Sequence, residues 1–350
     1  MAVGVSRTAR DIAFTLEVKS TKIFENIFLN NGILAALGMN GRVKIQKGGN
    51  RFDERAHLGQ NSTVAQRSKY DPIPLDNQNN WQTAQYGQSV ADGAAVVNLV
   101  EEDQNAGDSR ISSLADGILE DALQTFPNKI SDAIMKATPT DLDPDGISVI
   151  QATAFGSQTG SVGGIARSDH NGIADLADAW QNQYRATAIA DVSAAAGIQA
   201  ITKFAWQCSP GGSGINEQPD IGLTTVGVFA MFNGSDVLRR YSVNDKLLKL
   251  GFDNIMVNRA AIMADRSVAT GRLYLLNTNY LRLQVLAGSK TKQVGQVITV
   301  GEGKQAIPLQ VREPIESDNH LAYSIKMYIV YNLTWGGLRQ HGLQVSITEA

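Results

Sequence analysis

Clustered carboxylates are the first residues in this sequence whose types and spacing could do chemistry. Asp141, Asp143 and Asp145 follow the alternating spacing that opens a calcium-binding loop. A proline interrupts the run, and the position where such a loop needs a glutamate holds Ala152. A second cluster, at 101–103, precedes a predicted helix and there complements the positive end of the helix dipole. Neither cluster is therefore predicted to hold a metal or to form an acid–base pair.

No other motif predicts catalysis or cofactor binding. The segment 301–304, Gly-Glu-Gly-Lys, is similar to the end of a phosphate-binding loop, but the first glycine of that motif is replaced by Ile298. We interpret the segment as a turn. The histidines lie apart from one another in polar or turn-like stretches, which predicts surface or turn positions for them. They are His57, His170, His320 and His341.

The composition limits the class of protein. With 350 residues, of which 43% are hydrophobic, the chain can bury a substantial core. Its formal net charge of -3 lacks the basic excess of a DNA-reading protein. The single cysteine, Cys208, excludes a disulfide framework within one subunit and is predicted to be a small buried residue. Neither a signal peptide nor a membrane span is found, which predicts a soluble protein made in a cytoplasm.

The predicted elements that must position any site begin with a short amphipathic helix over 23–37. A polar stretch, 41–89, follows, with too few apolar residues for a core of its own, so it is either a flexible loop or held by something outside itself. For residues 50–85 we expect a contribution to an interface rather than to the core. Its large aromatic residues, Tyr70, Trp81 and Tyr86, favour order imposed by a neighbouring subunit.

The next predicted elements are a strand at 94–100 and a long spine helix with one apolar face from Ile111 to Ala137. Pro127 should kink or split that helix. A mixed region then follows, with a strand at 147–150 and a helix at 186–206. The tail, rich in β-branched and aromatic residues, closes the chain in a sheet. These patterns predict an α+β fold.

The order of these elements resembles the major capsid protein of tailed bacteriophages, which has the Hong Kong 97-like fold. The resemblance spans nearly the whole chain and depends on the order of several segments. They are Gly48-Gly49, 162–168 followed by 180–184, 273–281, and 319–335 with Arg339.

The resemblance implies four regions: an N-terminal arm (1–40), an extended loop (41–90), a P domain with the spine helix (91–143 and 264–350), and an A domain (144–263). It implies hexamers and pentamers in which the extended loop lies across the P domain of a neighbour. The candidate residues for contacts between subunits are Arg51, Phe52, Arg55, Tyr70, Trp81 and Tyr86.

The same resemblance implies the partners and the location of the protein. It predicts a virion shell assembled in the host bacterial cytoplasm, first as a procapsid, with a separate scaffolding protein, a portal protein and a decoration protein as candidate partners. Double-stranded DNA would be enclosed without sequence specificity. No cofactor is expected. Two alternatives stay open: an encapsulin-like nanocompartment shell, and a cytoplasmic α+β enzyme whose site escapes motif analysis.

Overall fold

A computed structural model describes most of the chain. The described residues are 32–59, 61, 63–75, 80–98, 100, 114–168, 179–209, 217–234, 244, 247–248, 253–287, 299–300, 303–304, 310–311, 315–316 and 322–349. Within these ranges no helix is both long and apolar enough to cross a bilayer. Two six-stranded sheets and four α-helices account for the main architecture.

The first sheet collects strands from both ends of the chain around one long central strand. Its members are β1 (Val43–Lys47), β4 (Ser89–Asn98), β12 (Leu281–Ala287), β15 (Gln310–Val311), β16 (Ile315–Glu316) and β17 (Ala322–Trp335). β17 pairs antiparallel with β4 along ten residues and with β12 at its end, whereas β1 pairs parallel with β12. This sheet therefore joins the polar stretch, the predicted strand near 94 and the closing segment.

The burial of side chains alternates along β17 and shows which face of the first sheet packs into the core. Ile325, Met327, Ile329, Tyr331 and Leu333 are all buried, on the face that period-2 geometry gives to odd-numbered residues. The even-numbered residues form the opposite face, which we call the outer face of the sheet. Their exposure varies along the strand, so this face is covered at one end and open at the other.

The spine helix, α2 (Leu114–Met135), covers the inner face of β4. The approach is close: a Cβ placed on Gly93 would lie 2.7 Å from Cε2 of Phe126. The helix runs through Pro127 without a break, so of the two predicted effects, a kink or a split, the split does not occur. Because Gly93 has no side chain, the ring of Phe126 can reach the strand backbone.

The second sheet builds the mixed region. In order, its strands are β7 (Gln183–Arg185), β18 (Gly342–Gln344), β11 (Leu273–Leu276), β8 (Ile221–Thr224), β10 (Ala260–Ala264) and β9 (Asn254–Val257). Helices α3 (Ala195–Gln207) and α4 (Val226–Gly234) contribute to the smaller core beside it. Two strands of this sheet come from the tail, so the segment 264–350 contributes to both sheets.

Several predicted boundaries in this region are wrong. Ile147–Val149 forms a 3-10 turn instead of a strand. The helix predicted over 186–206 begins only at Ala195, since Ile189 makes a parallel bridge with Ile347 and is committed to the sheet edge. A run of small apolar residues gives the same periodic signal in a buried bridge and in a helix, which explains the error.

The N-terminal helix also differs from the prediction. Helix α1 spans Gly32–Met39, and the part of the prediction over 23–31 lies outside the described residues. The helix is not amphipathic, because residues 33–37 are all fully buried. It packs between the two sheets, with Gly32 against Met263 and Leu223.

Candidate assembly surface

The polar stretch contains a hairpin whose base belongs to the core of its own chain. Strands β2 (Phe52–His57) and β3 (Trp81–Tyr86) pair antiparallel, with Phe52 opposite Tyr86. Side chains alternate between buried and exposed along both strands. Phe52, Ala56, Ala84 and Tyr86 face inward and join the main hydrophobic cluster. The expectation that this stretch contributes interface rather than core is therefore wrong for the base of the hairpin.

Polar contacts fix this base on the outer face of the first sheet. The hydroxyl of Tyr86 donates a hydrogen bond to the Trp335 carbonyl at 2.7 Å, and burial raises the pKa of Tyr86, so the phenol stays protonated. Glu54, almost fully buried, pairs with Arg282 at 2.8 Å and accepts a hydrogen bond from Gln284 at 3.1 Å. The orientation of the hairpin base is thus fixed by contacts within its own chain.

The two short paired strands Ser161–Val162 and Ile165–Ala166, with the glycines between them, also contact this base. The Gln85 amide donates to the Gly163 carbonyl at 2.8 Å, and Gly163 itself has a positive φ of 58° and lies against Ala84 and Tyr86. Only glycine combines that backbone conformation with so close an approach. The polar stretch and the mixed region are therefore linked through this contact.

The opposite face of the hairpin presents an aromatic and basic cluster to solvent. The Arg55 guanidinium lies 5.0 Å from the Trp81 ring centroid, and the His57 ring lies 4.4 Å from it. Trp81 is still 49% exposed. Arg51 lies just before the opposite end of β2 and donates to Gln85 at 2.8 Å. We call Arg55, His57 and Trp81 the tryptophan cluster; aromatic and arginine side chains in this setting are typical of interface hot spots.

Beyond the hairpin strands, the connecting loop exposes four large apolar side chains. They are Val64, Tyr70, Ile73 and Leu75, and Leu75 is 96% exposed. Lys69 lies 5.7 Å from the Tyr70 ring centroid and covers only part of it. So many apolar side chains on one loop mark a surface that a partner covers.

The open end of the outer sheet face is a second apolar surface. Val90 and Val96 on β4 are each about half exposed, and the strand register places them on the outer face, opposite Val330 and Ser324 of β17. The hairpin base covers the other end of the same face. The open end of the outer face therefore presents both apolar and polar side chains, which suits the docking of an extended segment.

The six predicted contact residues thus fall into two groups. Phe52 and Tyr86 are buried inside their own chain, where they hold the hairpin. Arg51, Arg55, Tyr70 and Trp81 are exposed on the hairpin and its loop. Composition alone could not separate the groups, because the alternation along each strand becomes readable only when the pairing is known.

The sequence prediction missed further exposed apolar residues, although their sequence context offers a signal for them. Ile73 and Leu75 stand among polar residues and prolines in a stretch with no periodicity, where an apolar side chain has no core to enter. Val90 and Val96 occupy alternate positions in a strand whose other face is filled. Large apolar residues in such places are candidates for a contact surface where several of them lie together.

Two carboxylates of the cluster at 141–145 have partners within the protein. Asp143 accepts a bond from Lys136 at 2.6 Å, which lowers the pKa of its carboxyl to about 2. Asp145 binds the side-chain amide of Asn332 at 2.8 Å, although burial raises its pKa. Among the described residues, no group of three or more His, Cys, Asp or Glu could hold a metal ion. The strands Thr299–Val300 (β13) and Gly303–Lys304 (β14) pair as a hairpin, as the predicted turn requires.

The remaining predicted positions are those of the histidines and the cysteine. His341 is fully buried, so a surface position is wrong for it, but it does end a turn: its amide donates to the Leu338 carbonyl at 3.0 Å. Its Nδ1 accepts a hydrogen bond from the Asn277 amide at 3.2 Å, and burial lowers its pKa to about 3. His57 is exposed as predicted, whereas His170 and His320 lie outside the described residues. Cys208 is buried and free, as expected.

Comparison with solved structures identifies the fold. No protein-family model and no curated protein matches the sequence. The capsid subunit of cyanophage A-1(L) superposes with a TM-score of 0.63 at 18% identity, covering 91% of this chain and 92% of that one. The capsid of a native GTA particle gives 0.53 at 9% identity, with 90% of each chain covered. The SrpI encapsulin of Synechococcus elongatus PCC 7942 gives 0.50 at 10%, covering 87% and 85%.

These matches extend over most of the length of both chains in each comparison. The fold class predicted from the sequence is confirmed. This chain has the α+β fold of the Hong Kong 97-like shell proteins.

Proposed function

We propose that this chain is the major capsid protein of a tailed bacteriophage, self-assembling as hexamers and pentamers into an icosahedral shell that encloses double-stranded DNA. The observation that carries the proposal is the likeness to the cyanophage A-1(L) capsid subunit over about nine-tenths of both chains. The other neighbours reported above also form shells, which favours a structural role over the enzyme alternative.

In this proposal the loop between β2 and β3 and the tryptophan cluster dock on the outer sheet face of a neighbouring copy. Exposed apolar side chains on the loop, such as Leu75, match the half-exposed Val90 and Val96 on the sheet. Tyr86 and Glu54 hold the hairpin base on its own sheet, and the loop extends beyond this base. A contact of this kind can be repeated around a ring, because each copy offers both a loop and a receiving face.

The four regions implied by the resemblance are carried into the proposal: an arm at 1–40, an extended loop at 41–90, a P domain at 91–143 and 264–350, and an A domain at 144–263. The P domain contains the spine helix and most of the first sheet, whose strand β1 belongs to the 41–90 region. The A domain contains α3 and α4. Strands β11 and β18 run from the P-domain segment into the second sheet, and so tie the two domains together.

The proposed partners are a scaffolding protein, a portal protein, a decoration protein and the packaged DNA, in a virion assembled in the host bacterial cytoplasm. The net charge of -3 supports a wall that encloses DNA without gripping it. A strongly basic chain would bind the duplex through counterion release and impede its movement during filling.

An encapsulin-like nanocompartment is the second candidate, and the likeness to the SrpI encapsulin favours it. Both candidates predict closed shells, so the content of the shell distinguishes them. Particles that take up DNA when a portal and a packaging motor are supplied support the capsid. Particles that enclose a protein cargo and no DNA under the same conditions support the nanocompartment.

Electron microscopy and sedimentation velocity of the purified protein, alone and with a candidate scaffolding protein, test the proposal. We expect closed shells, or rings of five and six subunits, in at least one of the two conditions. A monodisperse monomer in both conditions, over the concentration range in which capsid proteins assemble, would overturn the proposal and revive the enzyme alternative.

Two exposed leucines offer a matched pair of variants for the proposed docking loop. Leu75 in the loop and Leu142 after the spine helix are 96% and 83% exposed, so neither supports the core of the subunit. We expect Leu75→Ser to raise the protein concentration needed for assembly and Leu142→Ser to leave it unchanged. Equal effects of the two substitutions would show that the loop has no special part in assembly.

A further inference from the structure

One turn of the hairpin loop places two opposite charges beside an exposed aromatic ring. Tyr70 is 87% exposed, and the Lys69 ammonium lies 5.7 Å from its ring centroid. Asp71 is also exposed; its carboxylate accepts a hydrogen bond from the Ser68 amide at 2.8 Å, and its own amide donates to the Ser68 carbonyl at 3.1 Å. These two bonds close the turn, so the chain presents Lys69, Tyr70 and Asp71 together. We call these three residues the loop turn.

The outer sheet face presents a matching set of side chains. Asp92 on β4 is exposed and stands opposite Tyr328 of β17. Lys326 is also exposed; it lies two residues before Tyr328 and is therefore the diagonal neighbour of Asp92 on the same face. Val90 precedes Asp92 by two positions on that face and is 54% exposed. Val90, Asp92 and Lys326 thus combine apolar surface, an acid and a base, and we call them the receiving patch.

The separations on the two surfaces agree. Residues two apart on one face of a strand are separated by about 6.7 Å, which sets the distance from Val90 to Asp92. In the loop turn, the Lys69 ammonium lies 5.7 Å from the Tyr70 ring centroid. The flexible stem of a lysine side chain covers the difference of about 1 Å. The Lys69 ammonium can therefore contact Asp92 while the Tyr70 ring covers Val90.

The loop turn and the receiving patch of one chain do not cover each other. The hairpin base lies on the opposite end of its own outer face, and Tyr70 and Val90 keep their exposure in the single chain. Ring and patch are therefore both accessible to another molecule. A second copy of this chain carries both complementary surfaces, so one type of contact serves every neighbour around a ring.

We propose that the loop turn docks on the receiving patch of a neighbouring copy. Lys69 pairs there with Asp92, and Asp71 pairs with Lys326. The Tyr70 ring lies on the apolar surface beside these pairs. Two pairs of opposite sign also fix the orientation of the loop, because the reversed orientation would bring like charges together. This pairing rests on the proposed function, and it supplies the side chains by which a subunit selects its neighbour.

Charge reversal at both ends of the first pair tests the contact. Lys69→Glu and Asp92→Lys each bring like charges together, and each should raise the protein concentration needed for assembly at least about tenfold. In the double variant two acids of the loop turn meet two bases of the patch, and assembly should return to within about threefold of the wild type. Asp253→Lys makes the same change of charge at an exposed position just before β9 and should leave assembly unchanged.

Mixing the two single variants shows whether the pair joins separate copies. A Lys69→Glu subunit keeps Asp92 and accepts the loop of an Asp92→Lys subunit, which in turn accepts the reversed loop. The equimolar mixture should therefore assemble at a concentration about tenfold below that of either variant alone. Because the two variants must alternate around a ring, electron microscopy of the mixture should show rings of six in large excess over rings of five.

The other outcomes overturn the pairing in distinct ways. If either single variant assembles like the wild type, its side chain is not part of the contact. If the double variant assembles but the mixture does not, Lys69 and Asp92 act within one subunit. If both rescues fail while the wild type forms shells, the pairing is wrong and the proposed function stands, whereas a wild type that stays monomeric overturns the proposed function itself. Far-UV circular dichroism of each variant verifies that its subunits are folded.

Discussion

Substitution of Trp81 by alanine separates the interface role of the hairpin from its structural role. The indole is 49% exposed in the single chain. A Trp side chain offers up to about 250 Å², so about 120 Å² is left for a neighbour to cover. At about 25 cal/mol per Å² this area is worth about 3 kcal/mol for each contact when it is fully buried. The apparent concentration for assembly should therefore rise by about 100-fold in Trp81→Ala.

The cost of the same substitution to the folded subunit should be smaller. Trp81 contacts Arg55 and His57, two exposed side chains that turn back into water when the indole is removed. The lost cation–π contact is worth about 1 kcal/mol. Subunit stability is measured by urea unfolding under dissociating conditions, and assembly by light scattering and pelleting against protein concentration.

A conservative variant serves as the control. Trp81→Phe keeps a ring beside Arg55 and most of the apolar area, and should assemble at a concentration close to that of the wild type. The reasoning is refuted if Trp81→Ala assembles normally while its free energy of unfolding falls by several kcal/mol, because the indole would then act in folding alone.

Three further substitutions test other parts of the structure. Phe52→Ala should lower the free energy of unfolding by about 3–5 kcal/mol in urea titrations, since the ring is fully buried; a loss below about 1 kcal/mol would contradict a core role. Gly146→Ala should impair folding, as judged by soluble yield and melting temperature, because its Cβ would lie 2.0 Å from the Ile134 carbonyl oxygen; a normal melting temperature would show that this junction yields. His341→Asn should flatten the decline of stability in acid.

The pH effect follows from the depressed pKa of His341. The buried ring stays neutral down to about pH 3, whereas the unfolded ring gains a proton near pH 6.5. Stability from this group is therefore fully present above pH 6.5 and is lost as the pH falls toward 3. Between pH 6.5 and pH 5 the wild type should lose about 2 kcal/mol more than His341→Asn in urea titrations. Parallel losses in both proteins would assign the acid sensitivity to other groups.

Local patterns predicted the elements with long, regular periodicity. The spine helix was predicted over 111–137 and is described over Leu114–Met135, and the closing strands were recognised from their β-branched and aromatic residues. Where periodicity is weak or mixed, the prediction is wrong. The sequence predicts a strand at 147–150, where the structure has a 3-10 turn, and it predicts a helix start at 186, nine residues before the observed start at Ala195. In short apolar segments the two periods cannot be separated.

The candidate surface was predicted only in outline. A stretch poor in apolar residues indicated a loop that needs a partner, and exposed Trp81 and Tyr70 agree with that. The partner of the base, however, is the same chain: Phe52 and Tyr86 are buried against the first sheet. The contacts between Glu54 and Arg282 and between Tyr86 and Trp335 join positions more than 200 residues apart, and no local pattern indicates such pairs.

By itself, the sequence determined the composition of the core, the α+β class and the order of elements, because these depend on residue type and on periods of two and 3.6 residues. Tertiary structure alone decided which side of the hairpin is core and which is open to a neighbour. That choice depends on strand register, since a shift of one residue would exchange Phe52 and Arg55 between the two faces. The assembly surface is therefore a property of the folded sheet and not of the segment that carries it.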